Sequence, residues 1–158
     1  MLREIRQKVM QMANRLVKQG YIRANAMRTA WQLVKRKALS VKVAGTSFGN
    51  RQNMLQQVTR MPENAAACLV RDRKNAFDKN AVAVVAAVGE AAKAVIGYLP
   101  KAVACVVAVL LDNGLHVTVN RLCVTGGYGA YENYGARLIL SLNEKDPITT
   151  QTKASDRA

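Results

Sequence analysis

The feature that most constrains how this 158-residue chain can fold is a change of hydrophobic period near residue 40. Ahead of it, Ile5, Val9, Met12, Ala13 and Leu16 recur at helical spacing, and Gly20 stands where a helix would end. After QGYIR, the residues Met27, Ala30, Trp31 and Val34 repeat the stripe and run into Lys35, Arg36 and Lys37. Beyond residues 38–40 the period drops to two, the alternation of a pleated strand. The two periods belong to different elements, so the spacing predicts a basic helical hairpin over residues 1–39 and a β-rich domain over 41–142. In the hairpin Trp31 anchors two facing stripes, while Arg6, Arg15, Lys18, Arg28 and Lys35 stay in solvent. The last stretch, NEKDPITTQTKASDRA, has few large apolar side chains and is expected to be a disordered tail over 143–158.

Within the β-rich part, strands are expected at VKVAGTS (41–47), AACLVRD (66–72), NAVAVVAAV (80–88), AVIGYLP (94–100), LHVTVNRLCV (115–124) and GARLILSL (135–142). Two short helices fit between them, one near Gln52 to Arg60 and one from Pro100, suited to a first helical turn, to about Asp112. About six strands with two short helices make an α+β domain on a small, strongly curved sheet or OB-like β-barrel, preceded by the helical hairpin. A chain of this size buries roughly 70% of its unfolded surface, enough for a true core.

Charge narrows the partner. The net charge is +14, and residues 1–40 alone hold ten basic side chains against one acid. Such an excess favours a polyanion, with nucleic acid ahead of an anionic membrane surface. No apolar run reaches the ~20 residues needed to span a bilayer, and MLREIRQK shows no secretory pattern, so a cytoplasmic location with no membrane partner is expected. Cys68, Cys105 and Cys123 each sit among Ala, Val or Leu and read as small buried thiols. His116 is the one histidine, and no CxxC, HExxH or paired-His spacing occurs, so neither a metal site nor a cofactor is expected.

One segment needs more than a turn to explain it. In RDRKNAFDKNAVAVV (71–85) a lone Asp78 follows Phe77 among Arg71, Arg73, Lys74 and Lys79. Together with VAGTSF (43–48) and VIGYLPK (95–101), this segment stands in the order and spacing of the HIRAN domain, which the chain resembles over about residues 41–140. The resemblance implies a barrel akin to an OB fold. From the fork-remodelling helicase relatives it also implies a pocket for the 3′-hydroxyl end of single-stranded DNA, and a place in DNA repair or replication.

On that resemblance Phe48 and Phe77 flank a terminal base, with Tyr131 or Tyr134 closing the other side, each stacking contact worth about 1–3 kcal/mol. Asp78 accepts the terminal hydroxyl's proton and repels a phosphate placed there, so that it filters free ends from blocked or continuing strands. Asn75 and Asn80 hold the turn or touch the last nucleotide. Arg71, Lys79 and Lys101 meet nearby phosphates, and Tyr98 reaches sugar or phosphate through its hydroxyl. From the residues alone, DKN also reads as an Asx-type turn launching AVAVV, the favoured reading for Asn80. Two positions depart from the helicase relatives: Ser47 replaces a basic residue and Phe77 a common tyrosine.

The function expected is therefore a non-enzymatic, single-stranded-DNA-binding module for free 3′ ends. A generic nucleic-acid module, with RNA as partner, or a protein-interaction module for an acidic partner is the alternative. A metal-dependent nuclease or phosphoesterase ranks last, because the acids Glu63, Asp72, Asp78, Glu90, Asp112 and Glu132 form no recognisable metal-ligand motif.

Overall fold

A computed structural model describes residues 2–18, 23–25, 27–28, 31, 38–112, 116–129 and 132–143. The first expected helix is present as α1 (Leu2–Lys18). Of the second only a few positions are described, so the hairpin as a unit lies outside the described residues, as do residues 144–158 of the expected tail. Val9 and Ala13, four apart and each 1% exposed, carry the buried face of α1. Trp31 packs, partly buried, on the same core.

Six strands follow: β1 (Leu39–Lys42), β2 (Ala65–Arg71), β3 (Val82–Val88), β4 (Ala92–Tyr98), β5 (His116–Gly126) and β6 (Tyr134–Asn143). Helix α2 (Arg51–Arg60) and a 3-10 turn (Pro62–Asn64) stand between β1 and β2, and α3 (Lys101–Asp112) between β4 and β5. Each strand and helix expected beyond residue 40 is present, with boundaries moved by a few residues. β2 alternates between half-buried and exposed side chains, whereas six of the seven residues of β3 are buried, so that VAVVAAV is covered on both faces. Helix α3 is almost wholly apolar and seven of its twelve residues are buried. The carbonyl of Pro100 accepts the N–H groups of Val103 and Ala104 and so starts its first turn.

The strands do not close into the expected barrel. They form two three-stranded antiparallel sheets, ordered β1-β6-β5 and β2-β3-β4. The sheets share a core of Leu55, Val82, Val84, Ile96, Val106, Val107, Leu138 and Leu140. Backbone hydrogen bonds join them at one corner. Val43 N–H still donates to Ala136 of β6 (2.8 Å), and Ala44 already exchanges both backbone bonds with Tyr98 of β4 (2.8 and 2.9 Å). The crossing stops after one residue because Gly45, at φ +73°, turns the chain away. On the other side β2 and β5 each end their sheet, with no ladder between them. The approach of Ala44 to β4 also depends on Gly97, where a Cβ would collide with the Ala44 carbonyl and the Val43 side chain.

The cysteines need a correction. Cys105 is buried in α3, where burial pushes its thiol pKa up, and Cys123 is half-buried, but Cys68 is exposed. It falls on the outward side of the β2 alternation with Ala66 and Val70. Among the described residues no helix is long and apolar enough to cross a membrane.

One long-range polar contact ties the β2–β3 loop to α3. Arg71 donates through Nε and Nη2 to the two Asp112 oxygens (3.1 and 3.2 Å), and Arg73 joins at 2.9 Å. The hydrogen bond from Arg71 is the main cause that holds the Asp112 carboxyl below its ordinary value. A carboxyl depressed in the folded state stabilises above its unfolded pKa of about 4 and loses that contribution as pH falls through the folded value. Urea midpoints should therefore hold steady from about pH 7 to 5 and fall below about pH 4. Asp112→Asn should flatten part of that fall and cost no more than about 1 kcal/mol at neutral pH, since the carboxylate is partly in solvent. Gly97→Ala should be more damaging, lowering the melting temperature by roughly 3–10 °C through overpacking at the crossing of the sheets.

Candidate functional site

The corner where the sheets meet is also where the chain's most specific loops converge. Phe48 lies in the turn after Gly45, its N–H bonding weakly to the Gly45 carbonyl (3.5 Å), and α2 starts three residues later. Arg51, the first residue of α2, folds back so that Nη1 donates to Gly45 O at 2.6 Å. Its guanidinium lies 5.4 Å from the centroid of the Tyr98 ring, a cation–π contact between the loop after β1 and the end of β4. Gly45, at φ +73°, holds a backbone conformation that favours glycine, and a Cβ there would sit 2.9 Å from that guanidinium, which would have to shift.

The facing wall is the β2–β3 loop, built around Asp72. Asp72 Oδ2 accepts from Asn75 Nδ2 (3.1 Å) and from the Tyr98 hydroxyl (3.0 Å). The Asn75 bond, with Tyr98 second, holds the Asp72 carboxyl below its ordinary value. Burial, then the bond to Asp72, raises the Tyr98 hydroxyl. Asn75 Oδ1 in turn accepts the N–H groups of Phe77 (2.9 Å) and Asp78 (3.1 Å). Asp78 Oδ1 accepts the Asn80 N–H (2.9 Å), and the Asp78 carbonyl accepts Ala81 N–H (3.0 Å). DKN is thus an Asx turn, as its composition suggests. A carboxylate has about four acceptor positions, so this cap leaves Asp78 further capacity toward the cleft.

Between these walls lies a cleft of about 540 Å³, lined by Phe48, Arg51, Asn75, Phe77, Asp78 and Tyr98 with Ala44, Gly45, Ala81 and Leu99. Phe48 is 68% exposed and Phe77 97% exposed, although their backbones are fixed by the bonds just described. Five of the sequence-predicted residues, Phe48, Asn75, Phe77, Asp78 and Tyr98, therefore meet in one place.

The remaining candidates lie outside this lining. Arg71 is engaged as a strut: besides Asp112 it donates to the carbonyls of Ala81 (2.7 Å) and Lys79 (3.2 Å). Lys79 and Lys101 are exposed, and Asn80 is buried in its turn. Tyr134 packs on the core, its ring against Gly127 and its backbone gripped by Gln52, which accepts Tyr134 N–H (2.8 Å) and donates to Tyr134 O (3.0 Å). Tyr131 lies outside the described residues.

Sequence reasoning missed Arg51, the cation of the cleft, and Asp72, its organiser. Ser47 carries no charge, and the basic side chain lining the cleft is Arg51, from the next helix. Among the described residues no group of three or more His, Cys, Asp or Glu side chains is placed to hold a metal ion.

Among solved structures, the crystal structure of the HIRAN domain of human HLTF is similar to this chain. The identity is 21% over 66% of this chain and 75% of that one, with a TM-score of 0.37. No curated protein matches. The family model of the HIRAN domain matches residues 37–142, from just before β1 into β6, and so takes in every strand and both walls of the cleft. With more than half of its length inside that match, the chain belongs to the HIRAN domain family.

Proposed function

We propose that the protein is a non-enzymatic module that captures ends of single-stranded DNA, its cleft taking the last nucleotide with a free 3′-hydroxyl. Family membership supports a nucleic-acid partner. The observation that carries the finer reading is the pairing of two solvent-exposed phenyl rings, Phe48 and Phe77, with one carboxylate in a cleft of nucleotide size. Rings left in water beside a cavity gain by covering the faces of a base, at about 1–3 kcal/mol each. Arg51 supplies positive charge on the same wall, to meet a phosphate behind the terminal sugar.

Asp78 works in the opposite sense. Its charge repels a phosphate placed beside it and tolerates the uncharged hydroxyl, with which it forms a charge-assisted hydrogen bond of roughly 1.5–3 kcal/mol. Its bond to Asn80 N–H does not conflict with this, because the cap orients the carboxylate while using one acceptor position. A binding role without catalysis is consistent with the cleft's acids, since Asp72 is occupied by Asn75 and Tyr98.

Binding of oligonucleotides ending in 3′-hydroxyl and 3′-phosphate, followed by fluorescence anisotropy, tests this reading. Wild type should prefer the hydroxyl end by roughly ten- to hundredfold. Asp78→Asn keeps an oxygen for Asn80 N–H and should erase most of that preference with little change in melting temperature. Phe48→Ala and Phe77→Ala should each weaken binding to both ends by roughly five- to hundredfold. Equal affinity of the wild type for the two ends would remove the end-capture reading. Magnesium- or manganese-dependent cleavage of labelled DNA, lost in Asp78→Ala, would remove the non-enzymatic one.

A further inference from the structure

We infer that the outer face of the β1-β6-β5 sheet is a second contact surface, which carries the phosphates of a single strand leading away from the cleft. The register defines this face. Lys42 is directly opposite Arg137, which is opposite Cys123; Ser40 is opposite Ile139, which is opposite Arg121. Lys42, Arg121 and Arg137 are all exposed. The strands β1, β5 and β6 contain no Asp or Glu at all, so no acid of the sheet neutralises the three cations.

Two details set this face apart from a merely soluble one. Lys42 and Arg137 are cross-strand partners, and like charges directly opposite one another destabilise a sheet. Arg137 donates to the Ser40 hydroxyl at 3.3 Å, a neutral partner that does not cancel the repulsion. An anion between the two groups would turn the repulsion into shared attraction. The second detail is the irregularity in β5 between Val119 and Arg121. Val119 pairs with buried Leu140, so strict alternation would send residue 121 inward as well. The extra residue, Asn120, resets the alternation and turns Arg121 outward beside Ile139, which is how bulges re-aim a side chain.

The face is continuous with the cleft. Ser40, Lys42 and Ala44 occupy alternate positions on one extended segment, all three exposed, while Val41 and Val43 point into the core. Ala44 lines the cleft, so Lys42 is about 7 Å along the same strand from the cleft wall. From β1 to β5 the sheet extends the track by a further ~10 Å. By the alternation around buried Val117, the imidazole of His116, at the end of β5 away from the cleft, is the one aromatic ring the described strands place on this face, so the face offers little base stacking. Its other polar groups are Ser40, Thr118, Asn120, Ser141 and Thr125, and the contact it offers is to backbone phosphate without regard to sequence.

The test uses the full chain, a 3′-hydroxyl dinucleotide without a 5′-phosphate, whose single phosphate stays at the cleft, and a dodecanucleotide with the same 3′ end. The triple variant Lys42→Gln, Arg121→Gln, Arg137→Gln keeps the aliphatic stems and removes the charges. It should bind the dinucleotide as wild type does and the dodecanucleotide roughly tenfold or more weakly. Its plot of log affinity against log salt should be shallower by about 2, since each single-strand phosphate contact contributes about 0.7. Its melting temperature should stay level or rise, because a like-charge pair has been removed. An unchanged dodecanucleotide affinity and salt slope, a loss of the same size for both lengths, or a fall in melting temperature of several degrees would each overturn the inference. The inference rests on the cleft reading, yet the two fail differently. Salt-dependent loss in the variant without any 3′-end preference in the wild type removes the cleft and keeps the face; wild type binding neither oligonucleotide removes both.

Discussion

The contact over Gly97 decides both how the sheets join and whether a cleft exists. Residues 43 and 44 leave β6 and reach β4 within one residue step, and they do so against a backbone with no side chain in the way. Once the bridge between Ala44 and Tyr98 forms, the chain must turn outward at Gly45, which places Phe48 and the start of α2 on one side of a gap. Tyr98, pinned by the same bridge, sends its hydroxyl across to Asp72 and fixes the other side. A side chain at residue 97 would therefore disturb the core and the site together, because one backbone approach sets both.

The β2–β3 loop shows how a long connection can be rigid without burying apolar surface. Its order comes from a relay of short-range polar bonds in which Asp72, Asn75 and Asp78 each accept from groups further along. Arg71 then fastens the base of the loop to α3 through Asp112. Net, each such bond is worth only about 1 kcal/mol, so the loop is held by their number and mutual consistency. The energetic consequence is that Phe77 can be held in water: the backbone around it is fixed by groups other than its own ring.

How much of this was legible follows from what each residue pattern encodes. The unbroken VAVVAAV run announced a strand covered on both faces, and Pro100 marked the start of α3, because both signals are local. Alternation reveals which face a residue occupies but not which strand it pairs with. Hence the strand expected over 41–47 changes sheets after residue 43, and the expected barrel is two sheets joined at one corner. The same limit explains Cys68: its apolar neighbours suggested burial, while its place in the alternation put it outside. At the site, Phe48, Phe77 and Asp78 stood out through the family resemblance and the oddity of one acid among cations. Arg51 did not, since a basic residue opening a helix carries no mark of folding back onto a tyrosine 47 positions later. Arg71 misled in the opposite way: as a cation beside the motif it suggested phosphate, but its guanidinium is taken up by Asp112 and two carbonyls.

Charge placement separates two tasks that a single basic surface would confuse. A polyanion is drawn to this chain by cations spread over its surface, and that attraction is long-ranged, screened by salt and indifferent to where along a strand contact occurs. Such a field cannot by itself tell an end from a middle, because every nucleotide offers the same phosphate. Discrimination needs a group that acts over a few ångströms and opposes the general attraction, and one half-buried carboxylate held by its own turn in the cleft meets that description. Its short range matters as much as its sign. On the proposed reading, screening over about 8–10 Å confines the repulsion by Asp78 to phosphates near the cleft, and it fades across the sheet toward Arg121. Affinity and end selectivity can then be altered by substitutions at separate places, which a site built from cations only would not allow.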